Sequence, residues 1–430
     1  MSESTLKPQA LPKLRAVDAT PIVQSGRPAV LLRDPLRLST KNVLLPQPLA
    51  PLLILCDGTR DTDALRASLM VRYGVRVSIQ VIEQVISALD DACLLANEHF
   101  EHARRQALDA YREAPHRRPV VAGLSYPDEP RALVEYLDAL LDGVDDADVV
   151  ADPMGQGLIS PHIDYQRGGQ VYARVWGRAA ELVRSADVAL VLGTDHAGDG
   201  GTLTLTRQSY ATPVGVLETD RGIVDRIAQA LGELPDACDV FRDELHHSVE
   251  HSIELALVWL LHMRGGKSCP VVPVLCGSFA PYVSGEQDPA EDPRIERLVE
   301  TWRHSTAGRR AIVIAAGDLA HVGPAFQGQP SDAMGRARVR AADMEMIAHI
   351  EAGDARAFHL SVRRSRDKYN VCGVPPIYIA LRALNGVGGH CVAYDMCPAD
   401  SKGTSLVSVC GVIFGADGVE TGKRTRTSAQ

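Results

Sequence analysis

At 430 residues the chain exceeds what one hydrophobic core usually organises, so two modules are expected. Hydrophobic residues at 45% and charged residues at 23% exclude wholesale disorder, and a net charge of -9 with only 5% aromatic residues excludes a nucleic-acid surface, which needs cations for phosphates and rings for bases. The opening MSESTLKPQALPKLRAV has no apolar core followed by a small-residue cleavage site, so no secretory signal is expected. No apolar run approaches the ~20 residues that cross a bilayer. Nine cysteines, an odd number with no CxxC pair, read as reduced thiols, and a cytoplasmic protein without membrane or nucleic-acid partners is expected.

In chain order, residues 1–25 are expected to be a flexible tail. From 26 to 97 a small unit follows: a β-like stretch (VLLRDPLRLSTKNVLLP), a helix, a turn at Asp57-Gly58 and two further helices at 62–73 and 79–94, with Leu65, Leu69, Val81, Val85, Ile86 and Leu89 facing inward. This order, with DGTRDTDALRASLMVRYG followed by VIEQVISALDDACLLAN, resembles PqqD-like winged-helix modules, which hold a peptide along a strand edge; a structural cap is the alternative. A charged helical linker over 98–116 ends at the Pro115-His116-Arg117-Arg118-Pro119 break, which marks the domain boundary.

Beyond it, over 117–416, apolar β-branched runs alternate with amphipathic runs, the pattern of an α/β domain with a mostly parallel sheet covered by helices on both faces. Strands are expected at 157–160, 188–193, 270–276, 311–315 and 406–414, and helices at 131–141, 169–184, 223–231, 249–263 and 338–352. The glycine clusters Arg167-Gly168-Gly169 and Gly198-Asp199-Gly200-Gly201 match neither Walker nor Rossmann spacing and read as turns. The polar residues 417–430 are expected to form a disordered tail.

Ligands of open α/β sheets collect at the carboxyl ends of strands. Three strands here run into histidine: LISPHIDY gives His162 and Asp164, VALVLGTDHAGDGG gives Asp195 and His196, and AIVIAAGDLAHVG gives Asp318 and His321. One such histidine alone is more often structural; three sharing a position relative to strands point to a metal cleft. A fourth segment, DELHHSVEHSIELALVWLL, places His247, Glu250, His251 and Glu254 at helical spacings of three and four, so all four are expected to share one face. Taken literally, His247 to His251 is the HxxEH pattern of inverzincin peptidases, two histidines on zinc with a glutamate activating water.

The segments RRPVVAGLSYPDEPRALVEYLDALL, SPHIDYQRGGQVYARV, VLGTDHAGDGGTLTLTRQSYATPVGVLETD, HSVEHSIELALVWL, VVPVLCGS, AAGDLAH and NVCGVPPIYIALRAL occur in the order of the landmarks of the Memo family, whose bacterial and archaeal members are described as AmmeMemoRadiSam system protein B. The resemblance implies a fold similar to that of LigB-like class III extradiol dioxygenases, non-haem iron enzymes. It also implies that His162 and His196 are metal-cleft histidines, that His247, Glu250 and His251 line or brace the same cleft, and that Asp318 and His321 join them. Some members carry a cysteine before the last histidine; here that position is Ala320, so no thiolate ligand is expected there. Asp164 and Asp195 stand where the family commonly has uncharged residues. With His162 and His196, one of Asp164, Asp195 or Asp318 would complete a two-histidine, one-carboxylate set of the kind that serves ferrous iron. His247 or His251 would then be the proton shuttle, and Cys372 in NVCGVPP a structural residue beside a turn. The expected cofactor is a divalent metal, iron first, with zinc and copper left open.

Three functions follow: a metal-dependent, dioxygenase-like oxidoreductase with a peptide-binding N-terminal module, a zinc hydrolase using HxxEH, or a non-catalytic adaptor for a radical SAM partner enzyme.

Overall fold

The computed structural model describes residues 11–144, 156–237 and 239–415, and the chain divides into two compact units, Met1–Ala114 and Pro115–Gln430. The division falls where the proline-flanked run follows the helix Glu98–Glu113. Residues 1–10 and 417–430, expected as parts of tails, lie outside the described residues.

The first unit is a three-stranded antiparallel sheet, β1 (Asp18–Gln24), β2 (Arg27–Arg33) and β3 (Val43–Pro46), followed by helices. β1 corrects the expected tail: all seven of its residues pair with β2, Asp18 opposite Arg33 through Gln24 opposite Arg27. Its residues are mostly solvent-exposed, so the apolar periodicity that announces a buried strand is missing. The helix Thr62–Tyr73 starts because Asp61 accepts a hydrogen bond from the Ala64 N–H and stops at Gly74 in the left-handed conformation. It buries Leu65 and Leu69, one turn apart, in a small core with Leu52, Leu55 and Ile82.

The second unit is built on an eight-stranded sheet. Its centre is four parallel strands in the order β4 (Gly157–Ser160), β10 (Ala311–Ala316), β5 (Val188–Thr194) and β9 (Val271–Cys276). Antiparallel strands flank them: β6 (Leu203–Leu205) beside β9, and β13 (Leu406–Phe414) beside β4, with β12 (Gly389–Pro398) and the two-residue β11 (His321–Val322) on β13. A separate hairpin joins β7 (Tyr210–Thr212) to β8 (Gly215–Leu217). β5 is buried throughout, as a parallel strand covered on both faces must be. Its alternation assigns the two layers: Leu190 and Leu192 pack toward the helices Ala355–Ser365 and Val374–Leu384, while Ala189 and Val191 pack toward Tyr165–Arg178 and Ser252–Met263.

Three local expectations are corrected. Gly168 and Gly169 lie inside the helix Tyr165–Arg178, not in a turn, against Ile163 and Leu140. The helix expected from residue 249 begins only at Ser252; before it, Glu244–Ser248 forms a 3-10 turn, so His247, Glu250, His251 and Glu254 are not one helical stripe. β12 adds a long edge strand that its mixed sequence, GHCVAYDMCP, conceals.

The start of Ser252–Met263 is fixed against β5. Ser252 Oγ donates to the Thr194 carbonyl at 2.9 Å, and a Cβ on Gly193 would stand 2.6 Å from Ile253 Cγ1 and Ser252 Oγ. Only glycine permits that approach. Gly193→Ala is expected to destabilise the protein by about 1–3 kcal/mol through overpacking, measured by urea unfolding; unchanged stability would show that the helix start yields freely.

Candidate metal centre

His162 follows β4, His196 follows β5 and Asp318 follows β10, so adjacent strands deliver them to one rim. The rings of His162, His196 and His251 cluster with centroids 5.1, 5.6 and 5.2 Å apart. Into this group comes a residue expected to be structural, Cys372, whose Sγ lies 3.2 Å from His162 Nε2. The correction has a backbone cause. Gly317 and Gly373 meet closely enough that a Cβ on Gly317 would stand 2.8 Å from Gly373 Cα, and the Gly373 N–H donates to the Asp318 carbonyl at 2.9 Å. The NVCG turn is thereby pressed onto the GD turn, just ahead of the helix Val374–Leu384.

The donor atoms of His162, His196 and Cys372 lie within 4.8 Å of one another, as do those of His196, Glu250 and His251, and those of Asp318, His321 and Cys372. The first group fits a cation best. His162 Nδ1 is 3.1 Å from the Ala316 carbonyl, an acceptor that fixes the proton there and leaves Nε2 as donor to a metal. His196 Nδ1 is 2.9 Å from Glu250 Oε2, which orients its ring in the same way. Glu250 is itself saturated: its carboxylate also accepts the backbone N–H groups of His196, His251 and Ser252 and pairs with His251 Nδ1 at 3.1 Å. It braces imidazoles more readily than it ligates. Asp318 likewise accepts the His162 N–H at 2.8 Å, and lies 3.8 Å from His162 Nε2.

The electrostatics agree. Burial opposes charge on His162, but the Cys372 thiolate and Asp318 outweigh it and push its pKa up to about 9. Crowding in the cleft opposes charge on His196 too, although 42% of its side chain stays exposed; Glu250 and Cys372 hold it well above the usual range. Burial would raise the Cys372 thiol, yet His162 and His321 hold it well below. The protons shared among these groups are those that a cation would displace on binding. Two imidazoles and a thiolate suit zinc, iron or copper.

The other expected site residues separate. Asp164 caps the helix Tyr165–Arg178 through the Arg167 N–H and pairs with Arg167, outside the three donor groups. Asp195 is held by His246 Nδ1 at 2.8 Å and caps Ala197, outside the three donor groups. His321 remains beside Cys372, edge-on to Phe326. His247 is sealed: Nε2 meets the Thr204 carbonyl at 3.0 Å and Nδ1 meets Tyr210 Oη at 2.6 Å. Burial pushes its pKa down to about 3. A zinc site on His247 and His251 is therefore not assembled, and His247 is no proton shuttle.

The segment is braced from the start of the unit. Arg117, fully buried, donates to the His247 carbonyl at 2.9 Å, to the Glu250 carbonyl and to Glu254. Glu254 also accepts the Val120 and Val121 N–H groups and the Tyr126 hydroxyl. Sequence reading missed the roles of both Arg117, placed only as the first residue of the second module in the proline-flanked boundary, and Cys372; the signal for the latter was a cysteine immediately before Gly373 at a helix N-terminus, where a thiolate is favoured. His196 and Cys372 also line a cavity of about 830 Å³.

A family model described as Memo-like protein matches residues 117–413. The chain belongs to the Memo family. Among its relatives, the MEMO1 family protein of Aquifex aeolicus is 26% identical over 410 residues, covering 94% of this chain and 99% of that protein. That span is longer than residues 115–430 can supply, so it takes in part of the first unit. The MEMO1 family proteins of Methanosarcina acetivorans and Archaeoglobus fulgidus are 29% and 24% identical over 273 and 300 residues, covering 64% and 69% of this chain and 88% and 99% of their own. The Memo match spans the segments that deliver His162, His196, Glu250, Asp318 and Cys372. Among the described residues no helix is long and apolar enough to cross a membrane, and all eight described cysteines are unpaired.

Two outcomes follow. Glu250→Gln should weaken metal affinity about 10- to 100-fold, as loss of an orienting carboxylate does, read by competition with a chromogenic chelator; unchanged affinity would remove Glu250 from the site. His247 binds its proton in the unfolded chain at about pH 6.5 but in the fold only near 3. Its contribution to stability is thus present above pH 6.5 and is lost as pH falls toward 3. Melting curves from pH 7 to 3 should fall more steeply for wild type than for His247→Gln.

Proposed function

We propose that this Memo protein is a metal-dependent oxidoreductase in which His162, His196 and Cys372 hold one ion, iron first and copper or zinc as alternatives, beside a cavity that admits an organic substrate. The observation that carries the reading is a cysteine and two oriented imidazoles whose donor atoms lie within 4.8 Å of one another, with His196 and Cys372 on the wall of that cavity. When bound, a redox-active ion would supply electron transfer and Lewis acidity. The residues around it have separable tasks. Glu250 and the Ala316 carbonyl fix the two imidazoles. His251, held at Nδ1 by Glu250, is the group suited to take up or return a proton at its other nitrogen. Asp318 and His321 flank the thiolate, which His162, His321 and His196 keep ionised.

The first unit supports a second reading, because β1 and β3 are the free edges of its sheet and expose Val23 and Leu44. We propose a PqqD-like module that takes a peptide by strand addition. If the protein instead serves as an adaptor, capture of a radical SAM partner would survive loss of the metal ligands.

Anaerobic purification followed by elemental analysis tests the metal reading. Wild type should carry close to one transition-metal ion per chain, and His162→Ala, His196→Ala and Cys372→Ser should lose it while His247→Gln retains it. Oxygen uptake with catechol-like compounds should vanish in the same three variants. Unchanged metal content in those variants overturns the assignment, and zinc without oxygen uptake overturns the oxidoreductase reading.

A further inference from the structure

The cavity that reaches His196 and Cys372 is also lined by Arg363 and Arg366. Arg363 lies on the helix Ala355–Ser365, and Arg366 caps it with φ 51, a left-handed conformation that costs a non-glycine residue free energy. Among the described residues neither guanidinium makes a hydrogen bond or ion pair, whereas Arg364 between them is paired with Glu345 and lines none of this cavity. A Cβ on Gly285 would collide with the Arg363 guanidinium, so a glycine is what lets that group lie where it does.

The acidic side chains in the lining are engaged elsewhere. Asp195 is held by His246 Nδ1, and Asp367 accepts the Val371 N–H at 2.8 Å. The same lining includes Phe279, Val283, Val371 and Pro375, which supply hydrocarbon surface. Two unpaired guanidinium forks, an apolar wall and a set of metal donors make a site with three chemical demands. The forks match planar or tetrahedral oxyanions, which they grip by paired, charge-assisted hydrogen bonds.

We propose that the substrate is an organic anion whose carboxylate or phosphate is bound by Arg363 and Arg366 while its apolar body lies along the Phe279 wall and its reacting end reaches the metal centre. This rests on the metal reading for the position of the reacting end, but not for the anion site itself.

The test is calorimetric titration of the full chain, both loaded anaerobically with cobalt(II) and metal-free. The probes are 3,4-dihydroxybenzoate against catechol for a carboxylate and phenyl phosphate against phenol for a phosphate. Wild type should bind at least one charged probe about 10- to 100-fold more tightly than its uncharged counterpart, the range of charge-assisted hydrogen bonds; which pair shows it identifies the anion. Arg363→Met with Arg366→Met should erase the preference, and Arg364→Met should leave it intact, with cobalt content unchanged in both. The preference should persist without metal, so a protein that takes up no cobalt but still discriminates charge rejects the metal reading and keeps this one. Equal affinity for charged and uncharged probes in wild type, no binding of any probe, or an undiminished preference in the double variant overturns the anion site.

Discussion

A single buried ion pair, Arg117 with Glu254, governs the geometry on which the cleft depends. Both side chains are wholly removed from solvent, and such a pair holds only where every remaining donor and acceptor is matched. Here they are: Glu254 takes two backbone N–H groups and a phenol besides the guanidinium, and Arg117 spends its other nitrogens on the carbonyls of His247 and Glu250. Stripping away one partner from such a pair typically costs about 3–5 kcal/mol. The pair joins the first residues of the second unit to the turn before Ser252–Met263, and that turn sets Glu250, which in turn sets two imidazoles. The cleft is thus shaped by a charge that never touches it.

The same economy appears in the donor set. Protons on His162 and His196 offset the negative charges of the Cys372 thiolate and the Glu250 carboxylate, so charges of both signs face one another in the cleft. A metal replaces protons rather than creating a new arrangement. The orienting acceptors, a backbone carbonyl on one ring and a carboxylate on the other, are present beforehand, which lowers the reorganisation that binding demands.

Much of this was legible in the sequence, and the failures are instructive. The parallel strands announced themselves as uninterrupted apolar runs, and histidine two residues beyond β4 and β5 gave the rim. What failed were inferences that assumed one regular element where the chain bends. HxxEH looks helical by spacing alone, but His247 is claimed by Tyr210 and Thr204, and the helix begins three residues later than its apolar pattern predicts. Asp164 reads as a spare carboxylate only if its duty as a helix cap is overlooked. Cys372 reads as structural because its role comes from a contact between Gly317 and Gly373, far apart in sequence, and β1 was missed because an exposed strand leaves no apolar alternation.

A cysteine held as thiolate beside an open cavity is also a nucleophile toward peroxide. Without a cation it stands at the first rung of the sulfur oxidation ladder, able to pass to sulfenic acid and beyond. A metal that occupies its lone pairs shields it. Occupancy would therefore protect the very ligand that makes it achievable, and a molecule that lost its ion in an oxidising setting would be exposed to losing the means of regaining it.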